Sequence, residues 1–167
     1  KSLARPVTKV GIVGAGLMAS QLALLFARRL EVPVVLTDLD QDRVDKGVGY
    51  VRAEIDKLVA KGRLADGKAA KLRALVGGTV DKGQFADADF VIEAVFEDLS
   101  VKKQVWADLE KIVTPECVLA TNTSSLSVTA MAGMPISVQP SKRSLTRAAP
   151  SSIEYSECTC ICTNQPL

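Results

Sequence analysis

The chain alternates between two hydrophobic rhythms. Residues 8–13 form a short β-branched run that ends in glycines, the pattern of a buried strand. Residues 17–30 follow as a helix with Leu17, Met18, Leu22, Leu25 and Phe26 on several faces, which predicts a largely buried helix. Residues 33–37 read as a second strand, with Pro33 at the first position, where it is tolerated. From Asp40 to Lys61, apolar residues recur at Val44, Val48, Val51, Ile55, Leu58 and Val59 with the period of an amphipathic helix. A shorter helix over 66–76 runs into a Gly77-Gly78 break, and Thr79-Val80 suggests a brief strand. Residues 89–95 are a clear strand. Val101, Val105, Leu109 and Ile112 mark a helix that stops before Pro115, and residues 117–120 form the last strand. Strands separated by helices imply parallel βαβ units with right-handed crossovers, hence an α/β, Rossmann-type doubly wound sheet.

That rhythm ends near Gly133. Residues 1–133 hold all 11 glycines, all four phenylalanines and the one tryptophan. Residues 134–167 have no glycine, but four of the seven prolines and three of the four cysteines, a composition that offers little core to offset chain-ordering entropy. The expected organisation is a dinucleotide-binding domain over 1–133 and a divergent tail over 134–167.

Composition removes several function classes. A formal charge of +2 leaves no electrostatic footprint for nucleic acid, and 4% aromatics provide few stacking platforms. No apolar run approaches the length of a membrane span. Residues 1–6 show no signal-peptide pattern and the chain does not begin with Met, which suggests a processed chain or a piece of a longer one. The sequence contains no histidine, so a Ser-His-Asp triad, a Cys-His pair and an imidazole general base are excluded for these 167 residues.

The chemistry concentrates in the turn after the first strand, Gly14-Ala15-Gly16-Leu17-Met18-Ala19, a G-x-G-x-x-G pattern with Ala in the third place. The first Gly permits a tight turn and the second lets backbone approach a pyrophosphate. The third position needs a small residue for helix–strand packing. The following helix N-terminus offers unpaired N–H groups to phosphate. Asp38 ends the second strand, 19 residues beyond Ala19, where a carboxylate accepts from an adenosine ribose and repels a 2′-phosphate. NAD is the expected cofactor. The competing reading makes the glycines packing devices and Asp38 the cap of the next helix.

Three blocks carry a further likeness: residues 11–18, residues 91–98 and residues 120–126 (Ala-Thr-Asn-Thr-Ser-Ser-Leu). In order and spacing they resemble the 3-hydroxyacyl-CoA dehydrogenase family, most of all the dehydrogenase region of bacterial multifunctional fatty-acid oxidation proteins. The resemblance implies that Glu97 lies at the nicotinamide side of the cofactor and that Lys102 also touches NAD. It implies that Ser124 contacts both cofactor and the substrate's 3-oxygen, and that Lys61 lies near the CoA phosphates. A 3-hydroxyacyl-CoA substrate and an oligomeric parent enzyme are implied in the same way. Local physics supplies plainer roles: Asp98 and Lys102 as an i,i+4 pair, Ser124 as a turn or N-cap residue, and Lys57 with Lys61 as a solvated face.

The sequence departs from the family after Ala132. The family's next segment bears the catalytic His, oriented by a Glu, and a helical domain follows; none of these is present here. Two readings stay open for residues 134–167: an out-of-frame reading of the gene, or a genuine partner-binding tail on a non-catalytic dinucleotide-binding module. Cys158, Cys160 and Cys162 lack the spacing of a structural zinc site, so no metal is expected. The absence of secretory context leads to the expectation of reduced thiols and a cytoplasmic setting, with Cys117 a small hydrophobe in the last strand.

Overall fold

The computed structural model describes residues 5–126; the tail, its three cysteines and the boundary near Gly133 lie outside the described residues. Five strands form one all-parallel sheet in the order β3-β2-β1-β4-β5, comprising β1 Val10–Val13, β2 Val34–Thr37, β3 Val76–Gly78, β4 Phe90–Glu93 and β5 Val118–Thr121. Helices α1 Leu17–Leu30, α2 Gln41–Ala60, α3 Asp66–Leu75 and α4 Leu99–Ile112 make the connections, except from β3 to β4, where a 3-10 turn over Lys82–Phe85 intervenes. The doubly wound expectation holds. Chain order reverses at β1, whose two neighbours are β2 and β4, and open α/β sheets bind ligands in the crevice at the carboxyl ends of such a pair.

Two apolar clusters flank the sheet. The larger one joins Val10, Ile12, Leu36, Val44, Val51 and Ile55 with the alanines of α1; the smaller gathers Val13, Phe85, Val91, Val105 and Leu109 beneath α4. Helix α1 packs differently from expectation. Its buried face is Ala19, Ser20, Ala23 and Ala27, while Leu17 is 63% and Met18 51% exposed. Small residues let the helix lie close on the sheet, so Leu17, Met18 and Leu25 point outward while Leu22, Leu24 and Phe26 pack at the margin of the core.

The short third strand also differs. It occupies Val76–Gly78 and pairs with β2, whereas Thr79-Val80 lies beyond it. The two glycines extend the strand instead of breaking it. A Cβ at Gly78 would lie 2.3 Å from Val44 Cγ1 and 2.9 Å from Val48 Cγ2, so α2 crosses over a position where any side chain would collide. Cys117 is half-buried and immediately precedes β5.

Candidate functional site

The glycine turn leaves β1 at the centre of the sheet. Gly14 has φ +113°, in the left-handed half of the map, and a Cβ there would sit 2.6 Å from the Ala94 carbonyl oxygen. Only glycine meets both demands. Over Gly16 there is open space, with nothing within 4 Å of an added Cβ, so the backbone is approachable there. On the inner side of the turn, Gly47 of α2 packs against Ala15, where a Cβ would lie 2.7 Å from the Ala15 oxygen and 2.9 Å from its Cβ. A small residue in the second helix is therefore part of how the turn is seated.

The N-terminus of α1 is left uncapped. Gly16 is its N-cap residue, no side chain accepts from its first N–H groups, and its first turn has no acidic residue. The other long connectors contrast with it: Asp40 caps α2 by accepting from the Arg43 N–H at 2.9 Å, and Asp98 caps α4 by accepting from the Ser100 and Val101 N–H groups. Asp38 is thus not the cap of α2. Its Oδ2 accepts from the Ala15 N–H at 2.8 Å, its Oδ1 from the Leu39 N–H at 2.7 Å, and Arg43 stands 3.6 Å from Oδ1. Asp38 ties the glycine turn to the end of β2 and holds a carboxylate beside it. The free helix dipole and N–H groups, an open Gly16 and that adjacent carboxylate fit a dinucleotide without a 2′-phosphate.

A second constellation joins the loops after β4 and β5. Glu97 Oε1 accepts from the Thr123 hydroxyl, from the Ser124 N–H at 3.2 Å, and from the Ser125 hydroxyl at 3.2 Å and N–H at 3.4 Å. This fan of donors, led by Thr123, brings the Glu97 carboxyl down to about 2. Ser124 is exposed just past β5, and its hydroxyl has no protein partner among the described residues. Glu97 and Ser124, predicted separately, are therefore in direct contact.

Lys102 departs from its surface-pair reading. It is fully buried and does not pair with Asp98. Its ammonium donates to Glu93 Oε1 at 2.7 Å and to the Asn122 carbonyl at 3.2 Å, and lies 3.4 Å from Glu97 Oε2. It has no exposed surface of its own, and its link to the loop after β4 is Glu97. Sequence reasoning missed Glu93 altogether. The overlooked signal was a charged residue inside an apolar strand, since such residues are almost never fully buried unless paired.

Lys61 stands apart from the other site residues. It is the C-cap of α2, whose 20 residues place it about 30 Å along the helix from the Asp38 end. It is exposed and makes no ion pair among the described residues, whereas Lys57 pairs with Glu54 at 2.6 Å. No group of His, Cys, Asp and Glu that could hold a metal occurs among the described residues. No described helix is long and apolar enough to cross a membrane.

Comparison with known proteins decides the family. Residues 9–138 match the model of the 3-hydroxyacyl-CoA dehydrogenase NAD binding domain. The chain belongs to this family. Its dinucleotide site is an NAD site. The "Peroxisomal fatty acid beta-oxidation multifunctional protein AIM1" of Arabidopsis thaliana is 38% identical over 126 residues, covering 74% of this chain and 17% of that protein. The "Fatty acid oxidation complex subunit alpha" of Psychrobacter cryohalolentis is 32% identical over 129 residues, covering 77% and 18%. Among solved structures, (S)-3-hydroxybutyryl-CoA dehydrogenase PaaH1 from Ralstonia eutropha superposes with a TM-score of 0.72 at 33% identity, over 75% of this chain and 44% of that one. The chain thus spans about a sixth of the length of these multifunctional relatives.

Proposed function

We propose that the protein carrying this domain oxidises the 3-hydroxyl of a 3-hydroxyacyl-CoA. In that reading the turn Gly14–Ala19 holds the pyrophosphate and Asp38 the adenosine ribose. Glu97 lies at the nicotinamide end, and the Ser124 hydroxyl takes the substrate's 3-oxygen. NAD supplies the acceptor for the hydride leaving C3. The observation that carries the proposal is the Glu97–Ser124 contact: it fixes the serine backbone and leaves its hydroxyl free at the carboxyl end of β5. Lys61 keeps a solvated charge that suits a CoA phosphate, and that assignment rests on the resemblance alone. We further propose that the domain ends near residue 133, and that the protein works as an oligomer in a cytoplasmic setting.

No histidine is present in the 167 residues to take the hydroxyl proton. Loss of a general base costs about 10²–10⁴ in rate. The chain is therefore expected to bind NADH and to turn over little. Acetoacetyl-CoA-dependent oxidation of NADH, followed at saturating cofactor, tests this. Robust turnover by these 167 residues would falsify it. Tight NADH binding without turnover favours the second reading, a non-catalytic dinucleotide-binding module, if residues 134–167 also prove necessary to capture a partner protein.

A further inference from the structure

A buried ion pair lies beside the cofactor site, and dinucleotide binding by the glycine turn does not require it. Glu93 is the last residue of β4 and is in register with Val13 of β1, immediately before the turn, and with Thr121 of β5. Both Glu93 and Lys102 are 0% exposed. Removing two charges from water costs several kcal/mol per ion, and a well-packed apolar pair of similar volume is often at least as stable. Stability alone is thus a weak reason for this pair to be here.

Its connections suggest a reason. Glu93 Oε1 accepts from the Lys102 ammonium and from the Val95 N–H at 2.7 Å, while Oε2 accepts from the Thr121 hydroxyl at 2.7 Å. The Lys102 ammonium donates to Glu93 and to the Asn122 carbonyl, and lies 3.4 Å from a Glu97 carboxylate oxygen as an ion pair. One buried cation therefore touches the end of β4, the loop after β4 and the loop after β5. Glu97, on the far side of that cation, gathers the Thr123 and Ser125 hydroxyls and the Ser124 and Ser125 N–H groups. Two carboxylates share one ammonium. Glu93 neutralises it inside the protein, and Glu97 keeps a net negative charge at the surface.

We infer that Glu93 is a positioning residue for the nicotinamide end of the cofactor site: through the Lys102 ammonium it fixes the Glu97 carboxylate across the gap between the β4 and β5 loops. Glu93 touches no ligand. It sets where Lys102 stands, Lys102 sets the Glu97 rotamer, and Glu97 sets the Ser124 backbone. The adenosine half of the site, built from Gly14–Ala19 and Asp38, makes none of these contacts. This inference rests on the proposed placement of Glu97 at the nicotinamide end.

The test compares NADH, which has a nicotinamide, with ADP, which has only the adenosine and phosphates. Dissociation constants for both are measured on the full chain and on Glu93→Gln, which keeps size and removes the charge facing Lys102. Glu93→Gln is expected to weaken NADH by roughly tenfold, the scale of one charge-assisted hydrogen bond, with ADP nearly unchanged. A residue that only supports the fold would move both ligands together. Equal loss for NADH and ADP, or no loss for either, overturns the inference. Glu97→Gln is measured in parallel. If it shifts the NADH-to-ADP ratio and Glu93→Gln does not, the role of Glu93 falls and the nicotinamide placement stands; if neither shifts it, both fall. Should Glu93→Gln fail to fold by circular dichroism, Thr121→Val replaces it. That variant removes one hydrogen bond to Glu93, keeps every charge, and is judged by the same ratio.

Discussion

Helix α2 contains two glycines two residues apart that face opposite surroundings, and they make a matched pair. Gly49 is exposed with nothing within 4 Å of an added Cβ, whereas Gly47 is buried against Ala15 of the glycine turn. Gly→Ala inside a helix is favourable by about 1 kcal/mol in propensity, and the unfolded-chain contribution is the same at both sites. Gly49→Ala should therefore stabilise the domain by up to about 1 kcal/mol. At Gly47 the new methyl meets a carbonyl oxygen at 2.7 Å and a Cβ at 2.9 Å, neither of which belongs to a flexible side chain. Overpacking of this kind costs about 1–3 kcal/mol, which cancels or exceeds the propensity gain. The two variants should differ by about 1–3 kcal/mol in urea unfolding, with Gly47→Ala at or below the parent and Gly49→Ala above it. Relief of the clash requires Ala15 to move, which carries the Gly16 backbone with it. NADH affinity should therefore fall in Gly47→Ala by roughly tenfold, about 1.4 kcal/mol, and stay unchanged in Gly49→Ala. Equal stabilisation by both substitutions, or full NADH affinity in Gly47→Ala, would refute the reasoning.

Three further outcomes follow from individual side chains. Asp38→Asn should weaken NADH by roughly tenfold and narrow its margin over NADPH, because the carboxylate that repels a 2′-phosphate is gone; an unchanged NADH-to-NADPH ratio in paired titrations would contradict this. Glu97 and Glu31 both have carboxyls lowered to about 2 from an ordinary 4.5, Glu97 chiefly by the Thr123 hydroxyl and Glu31 by Lys68 and Lys71. A lowered carboxylate contributes stability above 4.5 that is lost as pH falls towards 2, so the acid-unfolding curves of Glu97→Gln and Glu31→Gln should be flatter than the parent's across that window. Burial pushes the Cys117 thiol up to about 11, so alkylation of this cysteine at pH 8, followed by peptide mapping, should be slow in the folded chain and fast after denaturation.

Most of the architecture was legible because it rests on local signals. The strand–glycine–helix unit at residues 8–30, the long period of α2 and the apolar run before Glu93 each determine their element without distant help. Two misreadings have a common cause in packing between elements. The exposure of Leu17 and Met18 depends on how closely an alanine face lets α1 approach the sheet, and β3 at Val76–Gly78 exists because α2 crosses where Gly78 has no side chain. Neither fact is encoded in the segment's own periodicity. At the site, Asp38 and the glycine turn were readable from spacing. The Glu93–Lys102 pair was not, because an i,i+4 Asp98–Lys102 spacing offers a surface partner and the chosen partner lies nine residues back. A buried cation finds its counter-charge through the fold, not along the helix.

The central claim is that one dinucleotide lies across the switch point, with its adenosine end at Asp38 and its nicotinamide end at Ser124. Amide chemical shifts of the labelled chain, titrated first with ADP and then with NADH, test it directly. ADP should move Ala15, Gly16 and Leu39 alone, and NADH should move those together with Ser124 and Ser125. Shifts that bypass the Gly14–Ala19 turn, or an NADH response that never reaches Ser124, would contradict it.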